Sequence, residues 1–309
     1  MQPSSFITRR EFSRLSACAL GLTAICLQAK TPAAALPRHH FLCCDYQGNR
    51  VAIVAADGTV EWDFAATTPQ DCWLLPNGNV LFCHQRGARE VSREKQVVWE
   101  YKAPAEAQCH SCQPLPDGRV LVAECGLSRL VEVDRKGATV REIKVASQAK
   151  NIGHQFRGVR RTSDDHTWVC LMDEKKIVEL APDSTLIREL PVDGFPHAAV
   201  KLPNGHLLVT LGQAGKVIEL DEKRKVVWEI GAADLPGNPL RLTAGCQRLP
   251  NGNTIICNYL GGGFMGKQPQ AFEVTPDKRV VWEFADHAHF KTLNQICLLD
   301  LPPKADVLR

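Results

Sequence analysis

Two histidines stand at the same place in a repeated phrase. His110 and His197 each precede, with four residues between, a turn of the form Leu-Pro-Asp/Asn-Gly (Leu115 to Gly118 and Leu202 to Gly205). Arg157 falls between them at the same phase of the repeat, as do Gln70, Gln295 and Ala244. An imidazole so placed can act as a general base or a nucleophile. A guanidinium beside it can hold an anion in its planar fork or steady charge that develops on oxygen. A second phase, at the end of the following strand, carries Asp45, His84, Glu124, Leu171, Leu211 and Asn258, and His154 lies just ahead of Arg157. The two phases together predict a polar funnel lined by Gln70, His84, His110, Glu124, His154, Arg157, His197, Asn258 and Gln295. Solvated lining is the competing reading for each residue taken singly. His39, His40, His287 and His289 fall in terminal or loop segments and read as surface residues.

Between the two polar phases runs a layer rich in cysteine. One strand supplies Cys297, Cys72, Cys112, Val159, Ala199 and Cys246, and its hairpin partner supplies Cys44, Cys83, Ala123, Cys170, Thr210 and Cys257. Three hairpins then set cysteine against cysteine: Cys44 with Cys297, Cys72 with Cys83, and Cys246 with Cys257. Residues opposed in an antiparallel pair can be near enough for a disulfide. Equally, cysteine can serve there as a small hydrophobe, since alanine, valine and threonine share the position. Cys109-His110-Ser111-Cys112 has no second Cys/His pair at zinc spacing, so no metal motif is read. Asp45, Glu124 and Asn258 are the oxygen donors a divalent cation would have to use.

The elements that position these residues are written in the repeat. The turn recurs at Leu75 to Gly78, Leu115 to Gly118, Leu202 to Gly205 and Leu249 to Gly252, with Thr162-Ser163-Asp164-Asp165 as a degenerate copy. A closing strand recurs around Trp62, Trp99, Trp228 and Trp282, with Arg141 and Arg188 in the tryptophan's place in two copies. A period of about 40 to 50 residues with several short strands per copy is the signature of a β-propeller. The fold expected is all-β, a six-bladed β-propeller. The first copy lacks its innermost strand, and Leu293 to Leu299 supplies it, so the C-terminal strand closes the N-terminal blade and protects both edges. A one-residue slip in register would turn the polar rings into the contact between blades.

Residues 1–35 read as an address rather than as fold. Thr8-Arg9-Arg10-Glu11-Phe12 precedes an apolar stretch and Ala33-Ala34-Ala35, which resembles a twin-arginine export signal. Residues 36–309 then form a single propeller domain, expected in the periplasm or outside the cell. No later apolar run is long enough to span a bilayer. A formal net charge of +3 with no long Lys/Arg run argues against nucleic acid as a partner. Gly261-Gly262-Gly263 has no helix behind it and reads as a flexible loop, not a phosphate cradle.

The His-x4-Leu-Pro-Asn/Asp-Gly pattern, with Val-Val-Trp-Glu closing several copies, resembles the repeats of bacterial arylsulfotransferase-like and quinoprotein-like propellers. Enzymes of the first family use a channel histidine to accept a sulfuryl group with basic neighbours on the sulfate, a role the resemblance passes to His110, His197 and Arg157. This chain is much shorter than those enzymes. Quinoprotein enzymes have eight blades, so the resemblance implies no quinone cofactor. Three functions remain open: an exported propeller binding a small polar or anionic ligand, such as a sugar derivative or sulfated compound; a His-dependent enzyme; or a scaffold for another exported protein through the loops Leu235 to Leu242 and Leu260 to Gln270.

Overall fold

The computed structural model describes residues 38–301; the segment that reads as an export signal lies outside them. Every strand is short and antiparallel, as the alternating patterns require. Blade 1 contains β1 (Phe41–Asp45), β2 (Arg50–Val54) and β3 (Val60–Ala65). Blade 2 contains β4 (Asp71–Leu74), β5 (Val80–His84), β6 (Gly87–Val91) and β7 (Val97–Lys102). Blade 3 contains β8 (Gln108–Pro114), β9 (Val120–Cys125), β10 (Arg129–Val133) and β11 (Thr139–Lys144). Blade 4 contains β12 (Phe156–Arg161), β13 (Thr167–Leu171), β14 (Lys176–Leu180) and β15 (Leu186–Pro191). Blade 5 contains β16 (Ala198–Lys201), β17 (Leu207–Thr210), β18 (Lys216–Leu220) and β19 (Val226–Gly231). Blade 6 contains β20 (Thr243–Arg248), β21 (Thr254–Asn258), β22 (Ala271–Val274) and β23 (Val280–Phe284). Finally β24 (Leu293–Leu298) pairs with β1, so each blade has four strands. The innermost strands β24, β4, β8, β12, β16 and β20 each touch the next, which closes a ring of six around a central channel.

The turn chemistry explains why the repeat spells Leu-Pro-Asn/Asp-Gly. Gly78, Gly118, Gly205 and Gly252 all sit near φ +85° (83, 86, 84 and 85), a left-handed position that glycine adopts without strain. In the degenerate copy Asp165 takes that place at φ 62, as a short polar side chain can. Three of the four closing-strand tryptophans reach across to the next blade's outer turn, while Trp282 packs edge-on against His39 and Phe41. Trp62 Nε1 donates to Arg93 O at 3.1 Å, Trp99 Nε1 to Asp134 O at 2.9 Å and Trp228 Nε1 to Pro276 O at 2.8 Å. Arg141, in a tryptophan's place, makes the equivalent bonds to Pro182 O and Ser184 Oγ. These residues join blades, as the repeat implied.

The alignment of the innermost strands from blade to blade departs from the sequence reading in one strand. Ile296, not Cys297, pairs with Cys43 at the level where Cys72 pairs with Phe82 and Cys112 with Val122. Asn294 is therefore the equivalent of His110, and Gln295 the equivalent of Ser111.

Because β24 supplies the inner strand of blade 1, ending the chain after Thr292 should bare the β1 edge. We expect that variant to aggregate or elute as soluble oligomer in size-exclusion chromatography, while the full chain runs as a folded species. A variant that keeps the full chain's elution and melting midpoint would contradict the closure.

Candidate functional site

A β-strand alternates its side chains, so only every second residue of an innermost strand should face the axis. Here two consecutive residues do. Bulges at Cys109/Cys112 in β8, Phe156/Val159 in β12 and Thr243/Cys246 in β20 interrupt pairing where the strands enter the channel. Such bulges re-aim side chains. The channel cavity is consequently lined by Gln70 with Asp71, His110 with Ser111, Arg157 with Gly158, His197 with Ala198, and Asn294 with Gln295. In blade 6 Gly245 faces the cavity, while Ala244 packs in the core. A Cβ on Gly245 would stand 1.8 Å from Gln295 Oε1, and one on Gly158 would stand 3.0 Å from His197 O. Both glycines let neighbouring strands and side chains close on the axis.

The cavity has about 30 Å³ open to the centres of water molecules, where one water needs roughly 10–15 Å³. That space suits a small ion or one charged group of a larger molecule.

Arg157 is the group that commands this space. Its Nη1 donates to Gln70 Oε1 at 3.1 Å and its Nε to Met172 Sδ at 3.3 Å. Asn294 Nδ2 donates to the same Gln70 oxygen at 3.1 Å. Among the described residues no carboxylate forms an ion pair with Arg157. Burial, the largest influence, lowers its pKa, and opposing influences come from Cys125, Tyr46, Tyr259 and Asp173. Just below, Arg160 is fully satisfied. Its Nη1 and Nη2 donate to Asp71 Oδ2 and Oδ1 at 2.8 and 3.1 Å, and Nη1 also reaches Ser111 Oγ at 2.9 Å. Asp71, Ser111 and Arg160 tie blades 2, 3 and 4 together under the open Arg157.

Both channel histidines are neutral. Burial, then the Arg157 charge, pushes His110 down to about 3, and the same two causes hold His197 well below its ordinary range. His110 Nδ1 lies 3.1 Å from Phe156 O. A carbonyl can only accept, so Nδ1 carries the proton and Nε2 keeps a lone pair. The approach of Arg157 Nη1 to that same Nδ1 at 3.4 Å is therefore a close contact of two donors. The His197 ring makes no hydrogen bond to another described residue. His154 stands at the rim on the short 3₁₀ turn Ile152–His154, held by Asp173 at 2.8 Å.

The end-of-strand phase does not join this group. Glu124 is fully buried against Tyr101 Oη at 2.5 Å and Arg129 Nε at 2.7 Å. Asn258 is fully buried too, and bonds the backbone of Arg241, Pro239 and Pro269. Asp45 accepts backbone N–H groups of Gly48, Lys291 and Thr292. His84 sits in a crevice between blades 1 and 2 with Asn49, Arg86 and Arg89, its pKa lowered by burial to about 4. These four residues anchor loops and blade edges, because a polar side chain at a strand end is captured by the nearest unpaired backbone or cation. The cation reading of Asp45, Glu124 and Asn258 fails with this dispersal, and no group of three His/Cys/Asp/Glu able to hold a metal occurs among the described residues.

The hairpin cysteine pairs also dissolve. Cys44 opposes Gln295, Cys297 opposes Leu42, Cys72 opposes Phe82, Cys83 opposes Asp71, and Cys246 opposes Ile256. A one-residue offset places Cys72 and Cys83 on opposite faces of blade 2. All described cysteines are buried.

No family model matches the chain, and no curated protein sequence does. Solved structures with this fold are numerous. A protein of unknown function from Bacteroides caccae superposes with TM-score 0.76 at 28% identity, over 84% of this chain and 98% of its own. A streptogramin B lyase superposes with TM-score 0.59 at 13% identity, over 85% and 95%. Virginiamycin B lyase from Staphylococcus aureus gives TM-score 0.57 at 13% identity, over 81% and 85%. The chain is a β-propeller. At this level of identity the lyases share the fold alone.

The low histidine values make acid stability a readout of the site. A histidine whose folded value lies below its unfolded value of about 6.5 is protonated first in the unfolded chain, so stability is complete above about pH 6.5 and falls with decreasing pH. For His110 alone the loss at pH 5 is about 2 kcal/mol. In urea titrations, His110→Asn should flatten the decline between pH 6.5 and 5 by about that amount; a slope unchanged from wild type would place His110 in solvent.

Proposed function

We propose that this protein is an exported binding propeller whose channel mouth takes the anionic group of a small ligand. The observation that carries this reading is Arg157, a half-buried guanidinium on the channel wall, bonded to neutral acceptors, and facing a cavity of about 30 Å³. A partly desolvated charge without a counter-ion is costly, and an anion in the cavity lowers that cost. His110, His197, Gln70, Asn294 and Gln295 surround the same space and supply hydrogen bonds. Since the cavity suits the charged group of a larger molecule, the body of a sulfated or sugar-derived ligand stays above the mouth. Export rests on the Arg9-Arg10 segment, which lies outside the described residues.

The test uses inorganic sulfate, phosphate and acetate as probes in thermal denaturation and titration calorimetry. An anion that binds the folded state raises its melting midpoint with concentration. Arg157→Met removes the charge while keeping the bulk. In anion-free buffer it should be more stable than wild type, by about 1 kcal/mol or more, and it should not respond to any of the three anions. A wild type indifferent to all three, or a variant that responds equally, overturns the reading. Anion binding should also strengthen from pH 7 to pH 5, because a bound negative charge draws a proton onto His110 or His197.

A second reading follows from the His110 tautomer. With Nδ1–H fixed on Phe156 O, the Nε2 lone pair is free to attack an ester held by Arg157. The value of about 3 makes that nitrogen a weak base before the anion arrives. Incubation with an aryl sulfate ester should then leave a sulfuryl mass on wild type and none on His110→Ala; an unmodified wild type removes this reading and leaves the binding reading intact.

A further inference from the structure

The cysteines that fail to meet within hairpins meet between blades. In blade 1, Cys44 packs with Leu42, Val51 and Ile53 on the face turned to blade 2, where Cys72, Val80 and Phe82 complete the same buried cluster. In blade 2, Cys83 packs with Leu81 and Ala88 on the opposite face, against Cys112, Val120 and Val122 of blade 3. The pattern is one rule applied twice: the second strand of a blade presents its thiol to the first strand of the next. Cys44 and Cys72 thus share one buried cluster across the seam, and Cys83 and Cys112 share the next. Asp71 locks the second pair in place, since it opposes Cys83 in register while accepting the Cys112 N–H at 3.3 Å. At the other four seams the equivalent positions hold Ala123 against Val159, Cys170 against Ala199, Thr210 against Cys246 and Cys257 against Ile296, so no seam but these two sets cysteine against cysteine at this position.

We propose that Cys44–Cys72 and Cys83–Cys112 are disulfide sites that staple blade 1 to blade 2 and blade 2 to blade 3 when the chain folds in the presence of a small-molecule disulfide. For each staple, one cysteine thiolate attacks the oxidant's sulfur, forming a mixed disulfide and expelling one thiolate of the oxidant. The second cysteine then attacks the mixed disulfide at the protein sulfur and expels the other half. Two cysteines are oxidised, one disulfide is reduced to two thiols, and the two cysteine protons end on those thiols. The exchange belongs to folding rather than to the finished ring. All four sulfurs are buried, and burial pushes the Cys44 and Cys112 thiols well above their ordinary range, so the closed interfaces shield them from exchange.

The experiment refolds the full chain from denaturant in glutathione disulfide with glutathione, beside native reduced chain held in the same buffer. Both samples are alkylated under denaturing conditions and mapped by non-reducing peptide mass spectrometry. The refolded sample should give the Cys44–Cys72 and Cys83–Cys112 linked peptides, a higher melting midpoint than the reduced chain, and loss of that increment on reduction. The native sample should give the four thiols alkylated and unlinked. Cys72→Ala and Cys112→Ala should each lose their own linkage and keep the other. Four alkylated thiols in the refolded wild type overturn the proposal. So does linkage of these cysteines to other partners, such as Cys44 to Cys297 or Cys72 to Cys83.

Discussion

Four blades of this protein share a buried carboxylate with a neighbouring element outside the blade. The third strand of five blades carries a buried glutamate: Glu90, Glu132, Glu179, Glu219 and Glu273. A carboxylate taken out of water is tolerable only when it is paired and hydrogen-bonded. Within its own blade each finds a residue just after the inner turn: Asn79, Arg119, His166, His206 and Asn253 respectively. Four then take a further partner from beyond the blade. Arg135 of blade 3 reaches Glu90, Arg161 of blade 4 reaches Glu132, and Arg248 of blade 6 reaches Glu219. His39, leading into blade 1, reaches Glu273 of blade 6 at 2.7 Å. That last pair joins the two ends of the ring beside the β1–β24 ladder. Glu179 keeps its partners, His166 and Arg188, within blade 4, and blade 1 carries Ile53 where the other blades carry glutamate. Blade contact is thus a requirement of charge as well as of hydrophobic packing, and it fixes the frame on which the channel is built.

A frame fixed in this way lets the channel hold groups that would not otherwise stay together. His110, Arg157 and His197 come from three blades, and each is unfavourable to its neighbours: burial and the Arg157 charge keep both imidazoles neutral. The bulges in β8 and β12 present two consecutive residues of a strand to the axis, which turns one polar ring into two stacked levels. The lower level, Asp71 with Ser111 and Arg160, neutralises itself. The upper level carries a positive charge bonded only to neutral acceptors.

The number of blades, the closing strand and the turns were legible because each rests on a strong local rule: glycine at a left-handed position, alternation of buried side chains, and tryptophan reaching the neighbouring turn. The polar phase of the innermost strands was legible as a set, since Gln70, His110, Arg157, His197 and Gln295 do line one cavity. What could not be read was which of two adjacent residues faces the axis. Alternation reports register only where one face is buried and apolar, and at the channel entrance both candidates are polar or small. That is why Gln295 was placed at the phase Asn294 occupies, and why Asp71, Ser111 and Arg160 were missed. The strand-end residues His84, Glu124 and Asn258 misled for a related reason. Polarity at a strand end marks a need for a partner, and for Glu124 the partner was Arg129 in its own hairpin, a near neighbour in sequence that a search across the repeat passes over.

Two arginines in one channel make the final distinction. Arg160 and Arg157 lie on the same strand, both half-buried, and both within reach of serine, amide or histidine groups. Arg160 meets Asp71 through both guanidinium nitrogens, which is how a buried cation is held when its role is architectural. Arg157 meets an amide oxygen and a thioether. A sequence selected for stability alone has an inexpensive remedy, since methionine or leucine at 157 would fill the volume without the desolvation cost. The asymmetry between neighbours, one charge compensated by a carboxylate of the chain and one bonded only to neutral groups, is the physical ground for the proposal that an anion binds at Arg157 while Arg160 holds the frame.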